Sequence, residues 1–351
     1  MTVTKKLAAK ASLKPWWVLT GIVLVAWVIV VAGYGYWPLV RAHSSMALVM
    51  ILGSVVAGST PMGGGSVSFP ILVYAFGELP ENARNFGLAI QALGMTSALV
   101  FIFCRRVPVQ TRLLICSCAG AAAGMIGGTF LVGPYASRAL VKLLFSCLWM
   151  SFAILTLARN REFCSLKGKP VLEWSVALRA GLPIGLVGGL IASLIGVGLE
   201  MIIYTVLVLV FRCDLKMAVP TAVCATAVTS VIGILLHLGI GDVPAAVFGE
   251  WLAAAPVVVF GAPIGTYLVS VISRMKILYF VSGLCVFQFA WALKEAALRP
   301  TGLLFVAGAL AGASLLYYLL YRLGLSSKSA AAAATEQAAA VAASRAGLTG
   351  R

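Results

Sequence analysis

Charge is scarce in this sequence. Asp, Glu, Lys and Arg make up 10% of its 351 residues, against about a quarter in soluble globular chains. With 62% hydrophobic residues and a mean hydropathy of +1.05, a water-soluble enzyme is excluded. Acids are the scarcer sign: 10 Asp plus Glu stand against 26 Lys plus Arg, for a formal net charge of +16. The two histidines, His43 and His237, sit near the ends of apolar runs without evident acidic or cysteine partners, so neither supports a metal site or a triad. The eight cysteines, Cys104, Cys116, Cys118, Cys147, Cys164, Cys213, Cys224 and Cys285, lack paired spacing. We read them as free thiols packed as small hydrophobes. Nothing in the sequence calls for a cofactor.

Long apolar runs are what the chain has instead. Stretches able to cross about 30 Å of hydrocarbon cover residues 17–37, 84–103, 113–133, 139–158, 217–238, 250–270, 277–293 and 302–321. The first follows Lys5, Lys6, Lys10 and Lys14 but is longer than a cleavable signal core, and reads as a retained helix. Two regions behave differently. Residues 45–59 run apolar into Thr60-Pro61-Met62-Gly63-Gly64-Gly65, and 66–77 run out again. At the rise of an α-helix these arms reach only about 22 Å and 18 Å, as half-helices meeting at a break. The second region has an arm at 180–195, a break at Gly196-Val197-Gly198, and a short arm at 199–211.

Basic residues set the expected orientation. With both termini in the cytoplasm, twenty of the 26 Lys and Arg fall on the inside; Arg41, Arg84, Arg138, Lys142, Lys294 and Arg299 are left at the outer side. The excess charge then orients the protein among membrane lipids and is no nucleic-acid surface. This orientation makes the 45–77 hairpin enter and leave from outside and the 180–211 hairpin from inside.

The chain also repeats itself at an offset of about 135 residues, the kind of period that marks a duplicated architecture. Ser59-Thr60-Pro61-Met62-Gly63 faces Leu194-Ile195-Gly196-Val197-Gly198, and Gly128-Thr129-Phe130-Leu131-Val132 faces Gly265-Thr266-Tyr267-Leu268-Val269. The fold expected is an all-α polytopic membrane protein of two inverted-topology repeats, each a broken-helix re-entrant hairpin plus three transmembrane helices. An extra helix stands at each end. Residues 1–43 form the cytoplasmic N-terminus and first extra helix, 44–158 the first repeat, and 159–179 a cytoplasmic linker. Residues 180–294 form the second repeat, 295–325 the last extra helix, and 326–351 a low-complexity cytoplasmic tail. Inverted repeats with broken helices place a transported ligand near the midplane. The Ala/Gly-rich, short-loop style suits a cell inner membrane.

Two motifs carry a family resemblance. Pro61-Met62-Gly63-Gly64-Gly65 followed by Pro70 is echoed by Gly196-Val197-Gly198, and Ala218-Val219-Pro220-Thr221-Ala222 opens the next span. Over roughly residues 44–294 the sequence resembles the TauE/SafE family of sulfite and organosulfonate permeases. The resemblance implies export of small sulfur oxyanions. Pro61 stands where the family pattern has its first Gly, Leu199 and Glu200 replace the last two Gly of the second break, and Arg84-Asn85 replaces a Thr-Ser pair.

A helix starting inside a bilayer presents unpaired N–H groups and a positive dipole end, an anion site that needs no charged side chain. We expect the anion at Gly63, Gly64, Gly65, Gly196, Val197 and Gly198, with hydroxyls from Ser59, Thr60 and Ser66. Gln91, whose amide needs a partner within its span, and Thr221 complete the expected site. Isolated glycines would serve helix packing alone, but two matched breaks favour a ligand. Glu200, an acid within an apolar stretch, is the candidate proton carrier; a carboxyl bonded to nearby backbone is the alternative. Arg84 and Asn85 stand at the outer end as an external anion path, or Arg84 snorkels to the interface. The leading reading is therefore a secondary anion carrier and not an enzyme. A membrane-embedded enzyme or a receptor or scaffold are the rivals. Facing catalytic groups would mark the first and a docking domain the second. Nothing in the sequence sets an oligomeric state.

Overall fold

A computed structural model of the protein describes residues 12–168 and 170–295, and 304, 306–312, 314–315, 318–319 and 321–322 of the C-terminal segment. The tail at 326–351, Lys5, Lys6 and Lys10 lie outside the described residues. Described elements are helical, with no strand among the described residues. In chain order they are α1 (Lys14–Gly33), α2 (Trp37–Ala42), α3 (Ser44–Ser59), α4 (Gly65–Pro70), α5 (Pro80–Cys104), α6 (Thr111–Gly127), α7 (Arg138–Ala158) and α8 (Asn160–Ser165). Then follow α9 (Trp174–Ile195), α10 (Leu199–Leu209), α11 (Leu215–Gly239), α12 (Ala245–Val271) and α13 (Arg274–Glu295). Six helices of 20 to 27 residues are long and apolar enough to cross a membrane: α1, α5, α6 with its extension to Tyr135, α9, α11 and α12.

Helices after each break correspond closely. Both α5 and α11 have 25 residues, and the second starts 135 positions after the first. The packing pairs correspond as well. α3 lies on α12 as α9 lies on α6; α4 lies on α5 as α10 lies on α11; α5 pairs with α11, and α7 with α13.

Small residues explain the closest of these pairs. Between apolar helices in lipid, association comes from packing and hydrogen bonds, so backbones must approach. Gly120 and Gly124 of α6 lie under the backbone of Leu182 and Leu186, while Gly185 and Gly189 of α9 lie on the carbonyls of Ser117 and Ala121. Each stripe repeats every four residues, the spacing that keeps it on one helix face. The α3–α12 pair uses the same device: Gly58 meets the Ala262 carbonyl, Gly261 meets Ser54, and Gly265 meets the Val55 carbonyl.

Prolines inside helices leave a carbonyl four residues earlier without its N–H. At three of the five such prolines among the described helices, side chains from other helices supply the donor. Pro70 frees the Ser66 carbonyl, which accepts from Gln288 Nε2 at 2.7 Å. Pro256 frees Leu252, which accepts from Trp27 Nε1 at 2.7 Å. Pro263 frees Val259, which accepts from Ser97 Oγ at 2.7 Å, and Ser97 in turn accepts from Trp16 Nε1 at 2.9 Å. Through Trp16 and Trp27 the extra N-terminal helix α1 is fastened to α5 and α12.

Both expected breaks are present. α3 stops where Thr60 turns extended and Pro61 follows; the hydroxyls of Ser59 and Thr60 donate back to Val56 O at 3.1 and 2.8 Å. Gly63 takes a left-handed φ of 69°. α9 ends at Gly196 with φ 79°, and Gly198 at φ 151° starts α10. Some boundaries differ from the sequence reading. α9 begins at Trp174, not 180, because the apolar run continues through Arg179, an exposed side chain long enough to leave an apolar face. This arm is therefore 22 residues, of spanning length and no half-helix. The first long helix ends at Gly33 rather than 37, before a turn at Gly35. The 302–321 span is helical at its described residues.

The glycine stripes give a direct test. Gly124→Leu should cost about 1–3 kcal/mol or more by overpacking, read as a lowered melting temperature of the detergent-solubilised protein. Gly127→Ala, where an added Cβ meets nothing within 4 Å, should leave it unchanged.

Candidate functional site

The two breaks touch. A Cβ on Gly65 would come within 2.7 Å of Val197 Cγ1, and Gly196 lies against the Arg84 carbonyl at 2.9 Å in the same sense. α5 runs past both breaks and packs Gly87 against the Cα of Gly65. One turn further along α5, Gln91 is 1% exposed. Its Nε2 donates to Gly87 O at 2.8 Å on its own helix and to Gly196 O at 3.0 Å in the second break. Its Oε1 points to the first break, 2.5 Å from the place a Cβ on Gly63 would take. Glu200 Oε1 comes to 2.8 Å from that same place.

Glu200, 2% exposed, stands at the second position of α10. Its carboxyl sits against the backbone N–H groups of Gly198 and of Glu200 itself. The positive end of α10, the surface expected to receive an anion, thus already faces a carboxyl of its own chain. Oε1 of Glu200 and Oε1 of Gln91 are both buried without a hydrogen-bond partner.

The structure therefore brings together Gly63, Gly64, Gly65, Gln91, Gly196, Val197 and Glu200, while Gly198 packs on Ile191. Other expected members face elsewhere. Ser66 Oγ donates to Gly63 O at 2.7 Å, so its hydroxyl, like those of Ser59 and Thr60, serves its own turn. Thr221 donates to Met217 O at 2.7 Å and accepts from Gln110 N at 2.9 Å, which fixes the start of α6. A narrow cavity beside the first break is lined by Met50, Ala57, Gly64, Gln91, Met95 and Val258, among others.

Arg84 does not snorkel. It is 8% exposed, and its guanidinium binds Asn85 Oδ1 at 3.0 Å, Ser193 O at 3.5 Å and the Asp242 carboxylate. Asn85 Nδ2 donates to the Asp242 carbonyl, and His237 Nδ1 meets Asp242 Oδ2 at 3.1 Å. His237 thus has the acidic partner its sequence neighbourhood did not suggest. Arg84 also lines a small cavity with Glu81, Gly133, Ala136 and Leu194. The guanidinium that would attract an anion is largely matched by Asp242.

Three residues were missed by sequence reasoning. Asp242 follows His237 by five positions across the turn at Gly241, a spacing that allows the pair. Gln288 is an amide in mid-span, the same signal that singled out Gln91. Glu250, at the edge of its span, is buried at 7% exposure, so Glu200 is not alone as a buried acid. The eight cysteines are free thiols, five of them buried.

Six helices of spanning length, with two helix breaks meeting over a buried amide and a buried carboxyl, define a multi-pass membrane protein with a polar site inside its bundle. The chain belongs to the TauE/SafE family: the family model for the sulfite exporter TauE/SafE matches residues 46–292. Membership implies a membrane transporter of the sulfite or sulfonate exporter type. Searches of the curated proteins and of the solved structures give no match.

The Arg84 network predicts coupled stabilities. Asp242→Asn should lower stability by about 1–3 kcal/mol, less than a fully buried pair because Asp242 is partly exposed. The double variant with Arg84→Gln should lose less than the two single variants together; additive losses in thermal unfolding would mean that the pair contributes no coupling.

Proposed function

We propose that the protein is a secondary carrier of small sulfur anions such as sulfite or organosulfonates. It exports them by alternating access, with the anion held between the breaks at 60–64 and 196–198. The observation that carries this reading is the convergence of both breaks on Gly63, where Gln91 and Glu200 each present an unpartnered oxygen. The corresponding packing pairs of the two halves support a duplicated carrier of residues 44–158 and 180–294. We read the second half as inverted in the membrane relative to the first, so that one can rock against the other, with α9 as a long arm that turns into α10 at Gly196. Arg105, Arg106, Arg112, Arg159 and Arg161 then face the cytoplasm of a cell with this protein in its inner membrane, together with both termini.

Export needs little else. An interior-negative potential drives each net negative charge outward by about 2.3 kcal/mol per 100 mV; a monoanion that moves with one proton is electroneutral and follows its own gradient and the pH gradient instead. Glu200 adds a proton to the cycle. The substrate anion and an ionised carboxyl compete for the same helix end at Gly198, and like charges at one site cannot both be kept. A proton on Glu200 removes that competition, so proton and anion enter together. As the anion leaves, the carboxyl returns to the N–H groups of α10.

Flux of sulfite in proteoliposomes, with and without a pH gradient, tests both parts. The wild-type protein should carry sulfite and respond to the gradient. Glu200→Gln should still carry it and lose most of that response. A full response in Glu200→Gln contradicts the coupling, and absence of flux for sulfite, sulfoacetate and sulfate contradicts the carrier.

A further inference from the structure

Gln91 has a fixed amide orientation. Its Nε2 serves two carbonyls, Gly87 O at 2.8 Å and Gly196 O at 3.0 Å, so a flip would set oxygen against two carbonyl oxygens. Oε1 is thereby held toward Gly63 as an acceptor. Glu200 Oε1 reaches the same spot, and the two oxygens lie no farther apart than the sum of their 2.5 and 2.8 Å distances from the Gly63 Cβ position. Both residues are more than nine-tenths buried and both oxygens lack a partner.

A polar site made of two acceptors is unusual for an anion. Backbone N–H groups can hold the negative oxygens, but an unpaired buried acceptor is costly and calls for a donor. A proton on Glu200 supplies one donor only. Once that hydrogen turns to the bound anion, Gln91 Oε1 again has none. Resting on the carrier reading above, we infer that the transported anion brings its own N–H or O–H group, which Gln91 Oε1 receives. The substrate class is then a monoanion that still carries a donor, such as hydrogensulfite or a hydroxyl- or amino-substituted sulfonate. Sulfate and plain alkanesulfonates are disfavoured because they leave Gln91 Oε1 unpaired. Glycine at 63 is part of the device, since any side chain there would fill the space between the two oxygens.

Sulfamate and methanesulfonate are suitable probes: both are small monoanions of nearly the same shape, and only sulfamate carries N–H donors on the group attached to sulfur. Each is added as a competitor of sulfite flux in proteoliposomes of the full-length protein. Sulfamate should inhibit at a concentration at least about tenfold lower than methanesulfonate, the size of effect expected when a buried acceptor is left unpaired. In Gln91→Met, which keeps the length and removes the acceptor together with the donor to Gly87 O and Gly196 O, the ratio should fall to near one. Equal inhibition of the wild-type protein, or a preference that survives Gln91→Met, overturns the inference. If Gln91→Met does not insert, the wild-type ratio alone decides. Intact sulfite flux with equal inhibition removes this inference and leaves the carrier reading standing, whereas no sulfite flux in the uninhibited control removes both.

Discussion

In a hydrocarbon interior a backbone carbonyl without its helical N–H must find a donor on a neighbouring helix, and this bundle is organised by where those donors come from. Gln288, Trp27 and Ser97 each reach a carbonyl freed by a proline, on α4 and α12. Gln91 does the same for Gly196 in the second break. A loss of any of these side chains leaves an acceptor in a place water does not easily reach. The bonds therefore fix which helices meet, and the helices fix the breaks. Gln91 and Gln288 both use their donors for the fold and leave their acceptors unpaired, and Gln91 stands apart because its acceptor faces the first break at Gly63.

Glycine serves two purposes in this chain. In α3, α6, α9 and α12 it lets helix backbones touch, and a side chain at Gly58, Gly124 or Gly185 would fall on a carbonyl. At Gly196 it takes a left-handed conformation that ends α9 against the Arg84 backbone, and at Gly63 one that turns the chain between α3 and α4 and leaves room for the Gln91 and Glu200 side chains. The first use gives two matching rigid pairs, α3 with α12 and α9 with α6. The second leaves a gap between them, occupied from one side by Gln91 and from the other by Glu200. Among the charged side chains described, it is Glu200 that reaches Gly63. The nearest buried cation described, Arg84, is turned to Asp242 and Ser193.

Much of this was legible in the sequence, and the failures have physical causes. Pro61 and the glycines after it announce a helix end because they change the backbone itself, and the same holds for Gly196 and Gly198. Gln91 and Glu200 were legible because polar groups inside apolar spans demand a reason. Hydroxyls were harder: Ser59, Thr60 and Ser66 can donate to their own turn or to a ligand, and sequence does not decide between the two. Thr221 was misleading for the same reason, since its partner Gln110 lies 111 residues away, just before the start of α6. The start of α9 was hidden by Arg179, whose long side chain allows a charge within a continuous helix. Pairings such as Arg84 with Asp242, 158 positions apart, come only from the folded chain.

The central claim is that the anion binds where the two breaks meet. Selenite, an anomalously scattering relative of sulfite, locates that position directly in a crystal of the protein. The account predicts a selenium peak between Gly63 and the second break, with its oxygens within about 3 Å of Gln91 Oε1 or Glu200. A peak beside Arg84 and Asp242, with none at the breaks, would contradict it.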